Sequence, residues 1–127
     1  MEIKAEQFGC SEAHKKDFGA RIIQFSSEDF DDQPVGKHLF WGPYLELKPG
    51  VYIATVQGKL KGHLTLEVVY RGGNSVIKKQ TIDELNPLVC FVLLQPVQDL
   101  EIRAVKTPGF KTLTLEAVSL SCAYLAQ

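Results

Sequence analysis

The sequence has no excess of charge of either sign. Its 127 residues include 14 basic and 15 acidic side chains, closely interspersed, and the formal net charge is −1. A surface for nucleic acid or anionic membrane depends on a basic excess or a basic stripe. The composition therefore argues against both kinds of partner.

Long apolar runs and paired cysteines are also missing. No stretch reaches the roughly 18 apolar residues of a transmembrane helix, and residues 1–7 lack the apolar centre of a signal peptide. Cys10, Cys90 and Cys122 are odd in number and far apart, so they form neither a disulfide framework nor a zinc-ligand spacing. We expect a cytoplasmic protein with three reduced thiols, in which Cys90 and Cys122 pack as small hydrophobic residues.

The common catalytic motifs are absent as well. There is no G-x-S-x-G elbow, no H-E-x-x-H and no P-loop. The three histidines are dispersed, which argues against the histidine-rich metal cluster of a small cupin-like enzyme. Glu67 and Glu101 could face each other as the paired carboxylates of a glycoside hydrolase, but two solvated strand positions are the favoured interpretation. We therefore expect a protein that is not an enzyme.

What the sequence does contain is a strong β pattern centred on residues 42–56. A short strand ends at Lys48-Pro49-Gly50, and a long strand rich in β-branched and aromatic residues follows. Pro49 presets φ for the first corner of a type II turn, and Gly50 can take the positive φ that the next corner needs. This stretch favours a β-sandwich.

The rest of the chain repeats short strands at the regular spacing of a sandwich or barrel. His63–Tyr70 alternates, residues 71–75 predict a hairpin loop, and the lysines of the return strand that follows it indicate an edge position. The apolar run Leu88–Leu94 predicts a strand covered on both faces. Thr107–Phe110 predicts a turn, and the phase change near Glu116-Ala117 predicts a β-bulge. We predict one all-β domain over residues 1–127, with an irregular segment at 1–19 and a tail at 121–127.

Three short stretches resemble galactose-binding-like jelly-roll domains of the carbohydrate-binding-module type. In those domains the sandwich opens with a motif that reads G-P-Y, two residues, L, one residue, P-G, one residue, Y. A second motif, L-E-[IF]-R, lies in a late strand. The matching residues here are Gly42-Pro43-Tyr44, Leu47, Pro49-Gly50 and Tyr52, then Leu64–Val68, then Leu100–Arg103. The resemblance covers roughly residues 36–120. It implies a two-sheet antiparallel jelly-roll β-sandwich and a non-catalytic, carbohydrate-binding role.

Four residues are candidates for ligand binding: His38, Trp41, Arg71 and Arg103. Sugars are bound by an aromatic face that covers the C–H surface of the ring, while polar side chains fix the hydroxyls. Trp41 is the only tryptophan, and an arginine offers planar donors for hydroxyls or carboxylates. The alternatives are that Trp41 closes one end of the core and that Arg103 pairs with a cross-strand glutamate. Tyr44, near Trp41, is expected to pack between the sheets.

The acidic loop at residues 27–32 is a weak candidate for a metal site. Asp29, Asp31 and Asp32 could give a structural calcium ion hard oxygen ligands. The spacing is not that of an EF-hand, so a solvated loop is favoured, and we expect no cofactor.

The sequence is therefore compatible with two functions. The first is non-catalytic binding of a saccharide or similar polar ligand on one sheet face or at a loop end. The second is a structural or protein-interaction sandwich that assembles with itself or with a partner chain. A surface that combines Trp41 with an arginine would favour the first, and a flat apolar outer sheet face would favour the second.

Overall fold

The computed structural model describes residues 1–10, 23–26 and 38–125, and over these residues the fold is all-β and antiparallel. Its strands are β1 (Glu2–Lys4), β2 (Gly9–Cys10), β3 (Ile23–Ser26), β4 (His38–Trp41), β5 (Leu45–Leu47), β6 (Gly50–Tyr70), β7 (Ser75–Ile82), β8 (Leu88–Leu93) and β9 (Val97–Leu125). The helical content of the described ranges is limited to two short 3-10 turns, Ala5–Gln7 and Arg71–Gly73. No helix in the described part of the chain is long and apolar enough to cross a membrane.

Two very long strands organise the sheet. β6 has 21 residues and β9 has 29, and they pair from Gly50 opposite Leu125 to Val69 opposite Glu101. The other edge of β6 pairs first with β8 and then with β7. The other edge of β9 pairs in turn with β5, β4, β3 and β1, and β2 joins β4. Each end of the β6–β9 ribbon therefore carries its own set of flanking strands.

Glycine-centred bulges interrupt this ribbon near its middle. Gly58 has a φ of +138° and Gly62 a φ of +79°, and the register shifts at both positions. A side chain at Gly58 would collide with the carbonyl oxygen of Thr114, so only glycine lets the two backbones approach this closely. Gln57 stands opposite Ala117 and Gly58 opposite Leu115, so Glu116 is the extra residue. This confirms the predicted bulge, and bulges of this kind bend the strand that carries them.

The core is built from alternate residues of the long strands. Leu64, Leu66 and Val68 on β6 are fully buried, and so are Ala104 and Ile102, the β9 residues opposite Leu66 and Val68. Aromatic rings fill the ends: the Phe8 and Phe40 ring centroids are 4.7 Å apart, and Tyr52 stacks on Phe91 at 5.5 Å. Contacts of this geometry add to the free energy gained by burying the rings.

The hairpin and the edge strand agree with the sequence, but several local predictions are wrong. The hairpin turn lies at Arg71–Gly73, and among the described strands β7 pairs only with β6. The N-terminal segment is not irregular throughout, because β1 pairs with β9 and β2 with β4. Residues 121–125 are not a tail, because β9 continues to Leu125.

Two stretches that were predicted to form turns, at Thr107–Phe110 and at Gly50, have a different conformation in the structure. Thr107–Phe110 stays within β9, where residues 107–109 bulge opposite His63, and the Thr107 hydroxyl donates to the His63 carbonyl at 2.8 Å. Gly50 does not have a positive φ. It is required instead because the backbone of Tyr124 lies against it, where a side chain would not fit.

Candidate functional site

Three of the four predicted binding residues lie on one outward face of the sheet. His38 on β4 stands opposite Val105 of β9, and Phe40 stands opposite Ala104. Continuing that register by one residue brings Trp41 opposite Arg103. The Ile102 amide donates to the carbonyl of Gly42 at 2.9 Å, which agrees with this register. Directly opposed residues of an antiparallel pair project to the same face, so Trp41 and Arg103 are neighbours there.

The same row continues across the sheet in both directions. Arg103 is opposite Glu67 of β6, and Glu67 is opposite Lys79 of β7. On the other side, Trp41 is opposite Gly9 of β2. We call the surface formed by His38, Trp41, Glu67, Glu101 and Arg103 the tryptophan face. It combines one indole with both signs of charge, and Thr65 and Val105 occupy the adjoining row.

Glu101 and Arg103 form the fixed centre of this face. The Arg103 Nη2 donates to the Glu101 Oε2 at 3.0 Å, and Glu101 is only 2% exposed while Arg103 is 19% exposed. The Arg71–Gly73 turn folds beside the guanidinium, so a side chain at Gly73 would meet Nη1. The buried Nε has no hydrogen-bond partner among the described residues. The favoured interpretation of Glu101 as a solvated position is therefore wrong. Arg103 does pair with a glutamate, but its partner is Glu101 of its own strand and not the expected cross-strand glutamate.

Trp41 is half-buried, and its indole lies against the backbone of Gly9. A side chain at position 9 would overlap the ring, so the indole can pack on β2 only because residue 9 is a glycine. The indole therefore packs at the edge of the tryptophan face and does not close the main core, whose members include Phe40 and Leu39 from the same strand. Tyr44 is 70% exposed, so the expectation that it packs between sheets is wrong.

Arg71 does not join the other three residues. Its backbone amide donates to the Asp99 Oδ2 at 2.9 Å, and its guanidinium carbon lies 5.6 Å from the centroid of the Tyr70 ring. Tyr70 packs toward the core and lines a separate groove of about 600 Å³ between β7 and the end of β8. Its hydroxyl accepts a hydrogen bond from Gln95 at 3.2 Å. The signal that suggested Arg71, residue type alone, carried no information about its direction.

A second outward face differs completely in chemistry. Along β8, Val89, Phe91 and Leu93 are buried while Leu88, Cys90 and Val92 are exposed. The exposed three stand opposite residues of β6, and Val51 of β6 also stands opposite Tyr124 of β9. We call the outward surface of Leu88, Cys90, Val92, Val51, Ile53 and Tyr124 the apolar face.

The apolar face overturns two predictions. The run Leu88–Leu94 was expected to form a strand covered on both faces, yet in the described chain β8 pairs only with β6 and its outer side is open. Cys90 and Cys122 are exposed, and only Cys10 is buried, so the expectation that the first two pack inside is wrong. Alternating burial along β8, which a uniformly apolar sequence cannot reveal, explains the open outer side of this strand and the exposure of Cys90.

Metal binding finds no support in the described ranges. These contain no group of three or more histidine, cysteine or acidic side chains placed to hold an ion. The calcium candidates Asp29, Asp31 and Asp32 lie outside the described residues.

Comparison with known proteins adds no relative: no family model, no curated protein and no solved structure matches the chain. The resemblance to galactose-binding-like domains therefore stays a prediction.

Proposed function

We propose that this chain is a non-catalytic domain that binds a saccharide, or a ligand of similar polarity, on the tryptophan face. The observation that carries the proposal is the register of β4, β9 and β6, which brings the only tryptophan of the sequence and Arg103 to the same outward face. An indole offers an apolar plane for the C–H surface of a sugar ring, and neighbouring polar groups can satisfy its hydroxyls.

The surroundings of Arg103 support a prepared site. The bond to Glu101 and the close backbone of Gly73 restrict the guanidinium before any ligand arrives. A side chain that is already fixed loses less conformational entropy on binding, which favours affinity. Glu67 and His38, both half-buried on the same face, add an acceptor and a second hydrogen-bonding ring.

The long β6–β9 ribbon can divide the sheet into two layers. We propose that the single antiparallel sheet folds into a two-sheet jelly roll, in which the two ends of the β6–β9 ribbon belong to opposite layers. The bulges at Gly58 and Gly62 supply the bend that this arrangement needs. In it the tryptophan face is the outer side of one layer.

The test uses the single tryptophan as its own reporter. The full chain is screened on a glycan array, and each oligosaccharide that binds is titrated while the Trp41 fluorescence is recorded. We expect quenching or a spectral shift, and loss of binding in Trp41→Ala with the β-type circular dichroism spectrum retained. Trp41→Phe should retain part of the affinity because a smaller aromatic plane remains.

Tyr44→Ala is the matched control, because it removes an exposed aromatic residue only three positions away in sequence. It should bind like the wild type. An array without a bound glycan, or a Trp41→Ala variant that binds as well as the wild type, would refute the proposal.

A further inference from the structure

The groove between β7 and the end of β8 is a second concave surface, and saccharide binding on the tryptophan face does not use it. β7 and β8 pair with opposite ends of β6, and neither has another partner among the described strands. The groove between them has a volume of about 600 Å³. Small-molecule sites usually have volumes of about 300–1,000 Å³, so the groove can hold a ligand of ordinary size.

Most of the side chains that line this groove are aliphatic. The buried part of the lining reaches the core, because Leu93 and Val97 belong to the core cluster and Ile77 packs against it. The exposed part consists of Val76, Val92 and Leu94. A hydrocarbon chain lying here would remove its own surface and that of these side chains from water, which is favourable. The lining therefore suits an aliphatic chain.

Hydrogen-bond donors lie together at one end of the groove. Tyr70 and Ser75 stand opposite each other beside the β6–β7 turn, and Gln95 lies in the turn that leads to β9. The Tyr70 hydroxyl accepts a hydrogen bond from Gln95 at 3.2 Å, so its own proton is available for a ligand. The Ser75 hydroxyl supplies a further donor. This end of the groove therefore suits a head group that accepts hydrogen bonds.

Arg71 adds a positive charge at the same end. Its guanidinium carbon lies 5.6 Å from the centroid of the Tyr70 ring, and no carboxylate of the described chain forms an ion pair with it. Asp99, the acid that contacts this turn, accepts the backbone amide of Arg71 instead. A guanidinium binds a carboxylate with two parallel hydrogen bonds. The charge therefore favours an acidic head group.

We propose that this groove binds a fatty acid. The hydrocarbon chain lies along the apolar lining between β7 and β8, and the carboxylate lies at the end formed by Tyr70, Ser75 and Arg71. An added peptide strand is disfavoured as the occupant, because β7 carries Lys78 and Lys79, and lysines on an outer strand discourage strand addition. The proposal does not depend on saccharide binding, since the tryptophan face is a separate surface.

Isothermal titration calorimetry of the full chain tests the head group, with decanoate as the probe below the concentration at which it forms micelles. Decylammonium has the same chain but offers only donors, so it should bind at least about tenfold more weakly. Arg71→Met should weaken decanoate binding at least about tenfold and leave the binding of decanol unchanged. Equal affinities of the wild type for decanoate and decylammonium would overturn the proposal.

Two matched variants of β8 test the location of the chain. Val92 and Leu88 are both exposed, at 51% and 42%, and both belong to the apolar face, but only Val92 lines the groove. Val92→Glu should weaken decanoate binding at least about tenfold, because it places a second negative charge in the apolar lining. Leu88→Glu should bind decanoate like the wild type. Equal losses in the two variants would place the ligand on the apolar face and overturn the proposal.

Circular dichroism and thermal melting establish that each variant is folded. Amide chemical shifts of the wild type, recorded by nuclear magnetic resonance during a decanoate titration, locate the ligand without any substitution. The largest changes should fall at residues 75–77 and 92–95. A wild type that does not bind decanoate overturns the proposal, and so do shift changes confined to the tryptophan face.

Discussion

Replacing Arg103 by methionine should destabilise this protein more than replacing its partner Glu101 by glutamine. Methionine keeps most of the apolar volume of the arginine stem but removes the guanidinium, which leaves the Glu101 carboxylate, 2% exposed, without its cation. Glutamine in place of Glu101 still offers an oxygen to Nη2, and the remaining guanidinium is 19% exposed and so reaches water. The two variants are unequal because the two partners are buried to different depths.

The magnitude follows from that difference. Removing one partner of a fully buried ion pair costs about 3–5 kcal/mol. Because Arg103 is partly solvated, we place Arg103→Met near the lower end, at about 3 kcal/mol. For Glu101→Gln we expect about 1 kcal/mol, the usual net value of a single hydrogen bond. In the double variant no buried carboxylate remains, so the cost should fall short of the sum by about 2 kcal/mol.

Urea denaturation at neutral pH measures all four free energies of unfolding. Arg71→Met is the control, since Arg71 is an exposed arginine whose guanidinium lies over the Tyr70 ring, and it should cost less than about 1 kcal/mol. If Glu101→Gln proved as costly as Arg103→Met, or if the two effects simply added, then the pair would not be a buried carboxylate held by its cation.

Three further changes test other parts of the fold. Gly58→Ala should lower the free energy of unfolding by about 3 kcal/mol, because it adds a side chain at a φ of +138° against a β9 carbonyl, whereas Gly72→Ala, at +63° in open space, should lower it by about 1 kcal/mol. Urea denaturation measures both values, and equal losses would contradict the close approach of the two backbones at Gly58. Trp41→Ala should lower stability by about 2 kcal/mol in thermal melts, less than the 3–5 kcal/mol of a fully buried tryptophan, because the indole is half-buried. Burial, and then the neighbouring Cys122, raise the pKa of Tyr52 in the folded state although its bond to a backbone carbonyl lowers it. The unfolded chain therefore ionises first, so stability should fall as the pH rises above about 10, and Tyr52→Phe should fall less.

Local sequence patterns were sufficient for the class of fold. β-branched and aromatic residues in alternation predicted strands, and the Gly72-Gly73-Asn74 cluster predicted the hairpin turn between β6 and β7. The change of phase near Glu116 predicted a bulge that is present. These features depend on residues close together in the chain, where sequence and conformation are directly linked.

Other local signals were ambiguous, because glycine and proline serve turns and bulges alike. Gly58 and Gly62 are compatible with a turn or with a bulge, and Pro108-Gly109 resembles a turn, yet β6 and β9 continue through all of these positions as bulged strands. Whether these residues form a turn or a bulge is determined by the long pairing of β6 with β9, two strands that lie far apart in sequence. Once that pairing forms, each glycine is most stable as a bulge within it.

In the candidate site, too, the sequence predicted some features and the tertiary structure determined others. By residue type alone the sequence singled out His38, Trp41 and Arg103, but it also singled out Arg71, whose side chain lies over Tyr70 instead. Only the strand register could set Trp41 beside Arg103, since the two are far apart along the chain. Likewise, the apolar run of β8 determined that a strand would form there, while the tertiary structure decided that one of its faces is open. The sequence determines which residues alternate along a strand, but the elements that pack against the strand determine whether each of its faces is buried or exposed.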